Sequence, residues 1–317
     1  MNDRTRLVPM TLSISAVERD TGLSKDTLRA WERRYGFPTP SRDGLDERAY
    51  TMDQVEKLRL IKRLLDTGHR PGRIVSLPYA ELMALSAAAP ETSVASADDA
   101  LCVIDLHVYL NLIRQHDAPG LRTALTRALS RSGVADFITQ LVGPLNAAVG
   151  DAWLRGQVEI FEEHIYTEVV QVVLRQAIAA IPEAAPHSHP RVLLTTFPGE
   201  SHSLGLLMAE AMFSLEGCSC LSLGVQTPLW DTVLAAKAHG SDIVALSFTG
   251  CMNPNQVVDG LTELRQKLPP ATRVWAGGSA PVLSRRRVAG VDPMSSLELL
   301  AASIRAWRET SAVAGLA

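Results

Sequence analysis

The chain has no apolar run approaching the ~20 residues that a membrane-spanning helix needs. Residues 1–10 hold Asp3, Arg4 and Arg6 with no apolar stretch behind them. Neither a spanning segment nor a secretory leader is expected, and the expected compartment is the cytoplasm. Cysteine is scarce, with Cys102, Cys218, Cys220 and Cys251 the only four. They form no regular framework, and Cys218-x-Cys220 is too close for the usual zinc spacing, so reduced, mostly buried thiols are expected. A P-loop, an HExxH helix and a Ser-His-Asp set are all missing, which removes the motif-based grounds for catalysis on an exogenous substrate.

What is present is ordinary globular composition, 46% hydrophobic and 21% charged over 317 residues. That length is large for one core and suits two or three domains. The net charge of −3 conceals an asymmetry: residues 1–75 hold 15 Lys and Arg against 11 Asp and Glu, a surplus of +4, which leaves −7 on the remainder. A basic module on an acidic body suits phosphate-backbone binding.

Three segments follow from composition. In the first, 1–85, a short helix over 13–20 has a Ser13 or Ser15 cap, and Gly22 supplies a sharp turn. Ser24 caps a second helix running to Tyr35, which Gly36-Phe37-Pro38 ends. Ile14, Val17, Leu23 and Leu28 are the expected contacts between the two. Residues 40–50 read as a wing, and 53–67 as an amphipathic helix with Val55, Leu58, Ile61, Leu64 and Leu65 inward. An Ala/Ser-rich linker lies near 86–97. The second segment, 98–182, is helical throughout, with breaks near Pro119-Gly120, Ser132-Gly133, Gly143-Pro144 and Gly156, which predicts a four- or five-helix bundle. In the third, 190–317, short apolar runs at 192–196, 220–223, 243–247 and 273–276 alternate with helical stretches, predicting a parallel α/β sheet. Ligands of such sheets bind beyond the carboxyl ends of the strands, where 200–205, 247–250 and Gly277-Gly278 fall.

The first segment, with its helix-turn-helix over 15–35 and the wing end Arg48-x-Tyr50, resembles the winged helix-turn-helix of MerR-type regulators. The resemblance implies a DNA operator as partner, with a recognition helix in the major groove and a wing on the backbone. It puts Arg29, Arg33 and Arg34 on groove or phosphates, joined by Arg42, Arg48 and Tyr50 from the wing. One such arginine alone is ordinarily a solvated surface residue; the group in this arrangement favours DNA contact.

In the third segment, Glu200-x-His202-x-x-Gly205, then Ser247-x-Thr249, then Gly277-Gly278, resemble the cobalamin-binding Rossmann domain of methionine synthases and mutases, with Glu200 where that family usually has Asp. This implies cobalt ligation by neutral His202, with Glu200 accepting from the other ring nitrogen. It also implies close helix approach to the nucleotide tail at Gly205, hydrogen bonds to the displaced base from Ser247 and Thr249, and a slot bordered by Gly277 and Gly278.

Trp153, followed ten residues on by Glu163-His164, resembles the signature of light-responsive adenosylcobalamin repressors of the CarH/LitR type within the MerR family. The middle segment is then a cofactor cap, with Trp153 covering the adenosyl face and Glu163 and His164 contacting the adenosyl group. A packed bundle core would use the same aromatic bulk. The resemblance further implies a homo-oligomer, often a tetramer, that represses in the dark and comes apart in light.

One position departs from that pattern. The family commonly carries a histidine after this tryptophan, able to bind cobalt from above once the adenosyl group is gone; here it is Leu154, which cannot ligate. Three other expectations therefore stay open. One is a MerR-type regulator sensing biliverdin or haem in the same cavity, another a regulator without a cofactor, and the third a corrinoid carrier, against which the winged helix argues. His187-Ser188-His189 lies in a second, proline-rich linker over 182–190, where metal binding is not expected; His107 and His116, on a bundle helix without a carboxylate partner at ligand spacing, are expected to be surface groups, as is Arg285-Arg286-Arg287.

Overall fold

Ser13 opens the first helix. In the computed structural model, which describes residues 11–44, 46–66, 69–87, 105–185 and 188–313, its hydroxyl accepts from the Ala16 N–H at 3.3 Å. Ser24 does the same for Thr27 at 3.2 Å. Each side chain satisfies an amide that the first helical turn leaves without a backbone acceptor. The chain divides into two compact units, Met1–Ser93 with Asp151–Val158, and Val94–Gly150 with Glu159–Ala317.

The first unit runs β1 (Thr11–Ser13), α1 (Ile14–Thr21), α2 (Lys25–Tyr35), β2 (Ser41–Arg42), β3 (Arg48–Thr51), α3 (Met52–Asp66), α4 (Pro71–Ile74) and α5 (Tyr79–Ala87). The wing is the hairpin of β2 and β3, with Arg42 opposite Arg48. On its far side β3 pairs with β1, a three-residue strand too short to leave a sequence signal. Val17, Leu28, Val55, Leu58 and Ile61 are fully buried together, and each such side chain contributes roughly 1.5–3 kcal/mol over its exposed state. The short segment Asp151–Val158 belongs to this unit: the Arg63 guanidinium stands 5.4 Å from the Trp153 ring centroid, and the Ser86 hydroxyl donates to the Leu154 carbonyl.

The second unit begins with α6 (Leu106–Arg114), α7 (Ala118–Asp136), a π-helical stretch (Phe137–Val142), α8 (Gly143–Leu154, of which the residues from Asp151 on belong to the first unit) and α9 (Ile160–Ala180). The break expected near Pro119-Gly120 falls just before the pair, between Arg114 and Ala118, and Pro119 sits in the first turn of α7, where proline forfeits no intrahelical bond. Gly143-Pro144 marks a change of winding from π to α, not a break; the Gly143 N–H donates five residues back, to Ile138. Gly133, at φ +77°, does interrupt α7.

The sheet comprises β4 (Arg191–Thr195), β5 (Ser219–Ser222), β6 (Ile243–Phe248), β7 (Arg273–Gly278) and β8 (Val291–Met294). Between and after these strands lie α10 (Leu204–Leu215), α11 (Leu229–Ala238), α12 (Pro254–Lys267), α13 (Val282–Arg285) and α14 (Leu300–Val313). Every pairing is parallel, in the order β5-β4-β6-β7-β8. Leu193, Val244, Phe248 and Val274 fill its core at full burial. β8 escapes sequence reading because Asp292 and Pro293 interrupt any apolar run; proline is tolerated there because the strand is an edge. The helical bundle shares this unit, with α9 and α7 packing on α10. No helix among the described residues is long and apolar enough to cross a membrane.

Candidate functional site

β4 ends in Thr195, and the loop behind it turns back on itself: the Glu200 amide donates to the Phe197 carbonyl at 3.0 Å, and Thr196 Oγ1 donates to the Glu200 carbonyl at 2.7 Å. This turn drives the Glu200 side chain inward, to 1% exposure. Its Oε1 lies 2.6 Å from His202 Nδ1 and accepts the His202 amide at 3.1 Å. Oε2 accepts both the amide and the hydroxyl of Thr249, each at 2.7 Å, from the loop after β6. Burial alone would raise the Glu200 pKa, but the bonds from His202 and Thr249 outweigh it and hold the carboxyl below its usual range.

An ionised carboxylate here keeps the imidazole proton on Nδ1 and leaves Nε2 as the nitrogen with a lone pair, the form that ligates a metal. The His202 side chain remains 52% exposed. Carboxylate, imidazole and threonine therefore form one bonded set at the ends of two adjacent strands.

Beside them lies a mostly apolar cavity of about 280 Å³ whose lining includes Gly205, Ser247, Trp275, Gly277, Gly278 and Met294. Its shape depends on missing side chains. A Cβ at Gly205 would stand 2.7 Å from Ser247 Oγ; one at Gly278, where φ is +106°, would stand 2.1 Å from the Phe248 carbonyl oxygen. The structure thus separates the motif residues into two groups. Ser247, Gly205, Gly277 and Gly278 border the cavity, whereas the Thr249 hydroxyl is committed to Glu200 instead of a ligand. The bracing role of Thr249 and the lining by Met294 and Trp275 were not foreseen. A threonine two residues past Ser247 carried the only available signal for the first; Met294 was hidden because β8 leaves no apolar run, while Trp275 stands on the strand read at 273–276.

Trp153 is half-buried within the first unit, against Arg63. Glu163 and His164 lie in the second, on the first turn and a half of α9. Glu163 accepts from the Thr167 hydroxyl at 2.6 Å, and His164 is 71% exposed, 3.7 Å from Glu163. His116, expected to lack a carboxylate, has one: its Nε2 is 3.0 Å from Glu162. His116 sits just past α6, in the turn before α7 at φ +57° and not on a helix as expected, and folding sets that turn beside α9, which sequence spacing alone could not reveal. His189 likewise meets Asp242 at 2.6 Å, while His187 lies outside the described residues.

On α2, Arg29, Arg33 and Arg34 are exposed. Arg29 is 3.3 Å from Asp26, a surface pair of little energetic weight. Arg42 is exposed at the wing. Arg48 is held by Glu32 at 2.8 Å, tying the wing to α2. Tyr50 corrects the sequence reading. It is fully buried, and its hydroxyl has no hydrogen-bond partner among the described residues. Its ring packs among the buried residues of the first unit's core, so it cannot touch DNA.

Residues 12–77 match the family described as MerR HTH family regulatory protein. Residues 106–178 and 190–294 each match a B12 binding domain. The HTH-type transcriptional repressor CarH of Myxococcus xanthus is 30% identical over 275 residues, covering 85% of this chain and 89% of that one. The HTH-type transcriptional repressor CarA of the same organism is 27% identical over 269 residues, covering 84% and 87%. Among solved structures, the monomethylamine corrinoid protein of Methanosarcina barkeri is similar in fold, with a TM-score of 0.50 at 16% identity over 62% of this chain and 95% of that one. With a helix-turn-helix at one end, two B12-binding matches behind it and a relative aligned over nearly its whole length, this chain belongs to the MerR-type transcriptional regulators that carry B12-binding domains.

Proposed function

We propose that the chain is a transcriptional repressor whose oligomeric state and DNA occupancy are set by bound adenosylcobalamin and by light. The observation that carries the cofactor half of this reading is the bonded set of His202, Glu200 and Thr249 at the strand ends, beside a glycine-bordered cavity. The fit is chemical. An imidazole whose Nδ1 is engaged by a buried carboxylate presents Nε2 as a good cobalt ligand, and the cavity would receive an elongated, partly apolar tail. When bound, the cofactor supplies a light-labile cobalt–carbon bond, a property of its own chemistry.

The chain's residues have separate parts in this reading. His202 would hold the cobalt through Nε2. Glu200 orients the imidazole and keeps its proton on Nδ1; Thr249 fixes Glu200. Gly205, Ser247, Gly277 and Gly278 border the space for the nucleotide tail. Trp153, Glu163 and His164 are assigned to the adenosyl side on the strength of the family signature alone. Leu154 has no donor atom in its side chain, so ligation from that position has no part in the switch. Arg29, Arg33, Arg34 and Arg42 face DNA; Arg48 braces the wing through Glu32. Joining several modest DNA modules in one oligomer raises avidity, and their separation releases the operator.

The test is the visible spectrum of purified protein after mixing with adenosylcobalamin in the dark and desalting, taken before and after green light. Size-exclusion chromatography and a DNA mobility shift on the same samples complete it. The expected result is a retained cobalamin spectrum that changes on illumination, together with a smaller particle and weaker DNA binding. Passage of the cofactor through the desalting column without retention would overturn the reading. Retention with no change of size or DNA binding in light would limit the ligand to a dark signal.

A further inference from the structure

The exposed face of α7 carries a feature that neither the helix-turn-helix nor the cofactor site uses. Leu121 and Leu125 are fully buried in the bundle. Beside that buried row, Arg122, Thr123, Thr126, Arg127, Ser130 and Arg131 are all exposed and line a shallow open depression of about 420 Å³. The six form two adjacent rows at i, i+4 spacing, so the three guanidinium groups share one stripe about 14 Å long at 1.5 Å per residue.

Its charge is unbalanced. Between Asp117 and Asp136 the helix holds these three arginines and no acidic residue. None has a carboxylate three or four positions away, and Arg127 and Arg131 are themselves i, i+4, an arrangement of like charges that weakens a helix by about 0.2–0.5 kcal/mol. Among the described residues none of the three enters an ion pair. The short side chains between them leave each guanidinium open to a partner approaching from solvent. All this stands on a portion of the chain, residues 76–317, whose net charge is −7.

We propose that this face of α7 is a second DNA-contacting surface, which grips the phosphate backbone of duplex DNA without reading sequence. Charge complementarity selects the partner: a row of guanidinium groups free of carboxylates matches a line of phosphates, and arginine is well suited to such bidentate contacts. The inference rests on the chain being a DNA-binding regulator, and its own contribution is sequence-independent affinity from the bundle.

The experiment uses the full chain and a 40-base-pair duplex of arbitrary sequence, with fluorescence anisotropy between 50 and 200 mM salt. The variant is Arg122→Gln, Arg127→Gln and Arg131→Gln together, which keeps good helix formers; far-UV circular dichroism checks its fold. If all three arginines neutralise phosphates, the slope of log affinity against log salt falls by about 2.7, which is about 40-fold across that salt range. The triple lysine variant retains the slope. An unchanged slope in the glutamine variant overturns the proposal. So does a change that appears only together with a new oligomeric state in light scattering, which would make the face a contact between copies. A parallel Arg29→Gln, Arg33→Gln variant separates the two surfaces. If it binds as well as wild type, the recognition helix is misassigned while the α7 result stands by itself.

Discussion

His202 rests on a carboxylate that solvent does not reach: Glu200 Oε1 is 2.6 Å from its Nδ1, yet Glu200 is 1% exposed. Two functional variants follow from this pair. His202→Ala is expected to abolish cobalamin retention on a desalting column. Glu200→Gln preserves the shape but loses the charge that fixes the imidazole tautomer, and is expected to lower cobalamin affinity by about 10–100-fold, as loss of a partner behind a metal-binding histidine does. Equilibrium dialysis measures both. Unchanged affinity in His202→Ala would remove the imidazole from the site.

The same carboxylate predicts a pH dependence. Its pKa is lowered in the folded chain, against burial, by bonds from His202 and Thr249. A carboxyl so held adds stability that is fully present above the ordinary value near ~4.3 and is lost as pH falls through the lowered one. Thermal midpoints between pH 7 and pH 3 should therefore fall less steeply in Glu200→Gln than in wild type. Thr249→Val, which withdraws one donor from a buried oxygen, should cost about 1–3 kcal/mol at neutral pH.

Gly205 and Gly278 differ in what a methyl group would strike. At Gly205 the obstacle is the Ser247 hydroxyl at 2.7 Å; at Gly278 it is backbone, the Phe248 carbonyl at 2.1 Å, with φ already at +106°. Gly205→Ala should cost about 1–3 kcal/mol of overpacking, largely recovered with Ser247→Gly. Gly278→Ala should cost more and find no such rescue. Urea denaturation of the single and double variants measures the coupling, and equal costs at the two sites would contradict the contacts.

Tyr50→Phe tests the correction to the wing. Removing a buried hydroxyl that lacks a partner should leave stability equal or raise it by up to about 1–3 kcal/mol, with DNA affinity unchanged. Arg33→Ala should do the reverse, leaving the thermal midpoint within a degree or two and lowering the salt slope of DNA binding by about 0.9. A Tyr50→Phe variant with weakened DNA binding at intact stability would return that residue to the interface.

The elements that sequence reveals are those whose signals are local. Ser24, Gly22 and the apolar spacing of Val17, Leu23 and Leu28 specify the first two helices by capping and periodicity, and the buried runs at β4 and β6 announce a parallel sheet. The motif from Glu200 to Gly205 marks a loop after a strand by its position alone. What stayed hidden depends on other parts of the chain. The bond from Thr249 to Glu200 spans 49 positions, and the partner of His116 lies 46 away. Tyr50 looked like a wing contact because Arg48, two positions earlier, is polar, yet Tyr50 packs among the buried residues of α1, α2 and α3, a contact set by the tertiary fold. The seating of Trp153 with Arg63 had no counterpart in any spacing.

The strand order gives the Glu200–Thr249 contact a wider meaning. β4 is flanked by β5 on one side and β6 on the other, so the chain leaving β4 winds one way and the chain leaving β6 the opposite way. Glu200 belongs to the first of these exits and Thr249 to the second. The carboxylate is thus a clasp over the seam where the winding reverses, and the two exits cannot part without breaking it. The Thr249 amide, whose hydrogen is one half of that clasp, becomes a natural sentinel: its rate of exchange with deuterated water will slow when a ligand draws His202 taut and quicken when the seam is released.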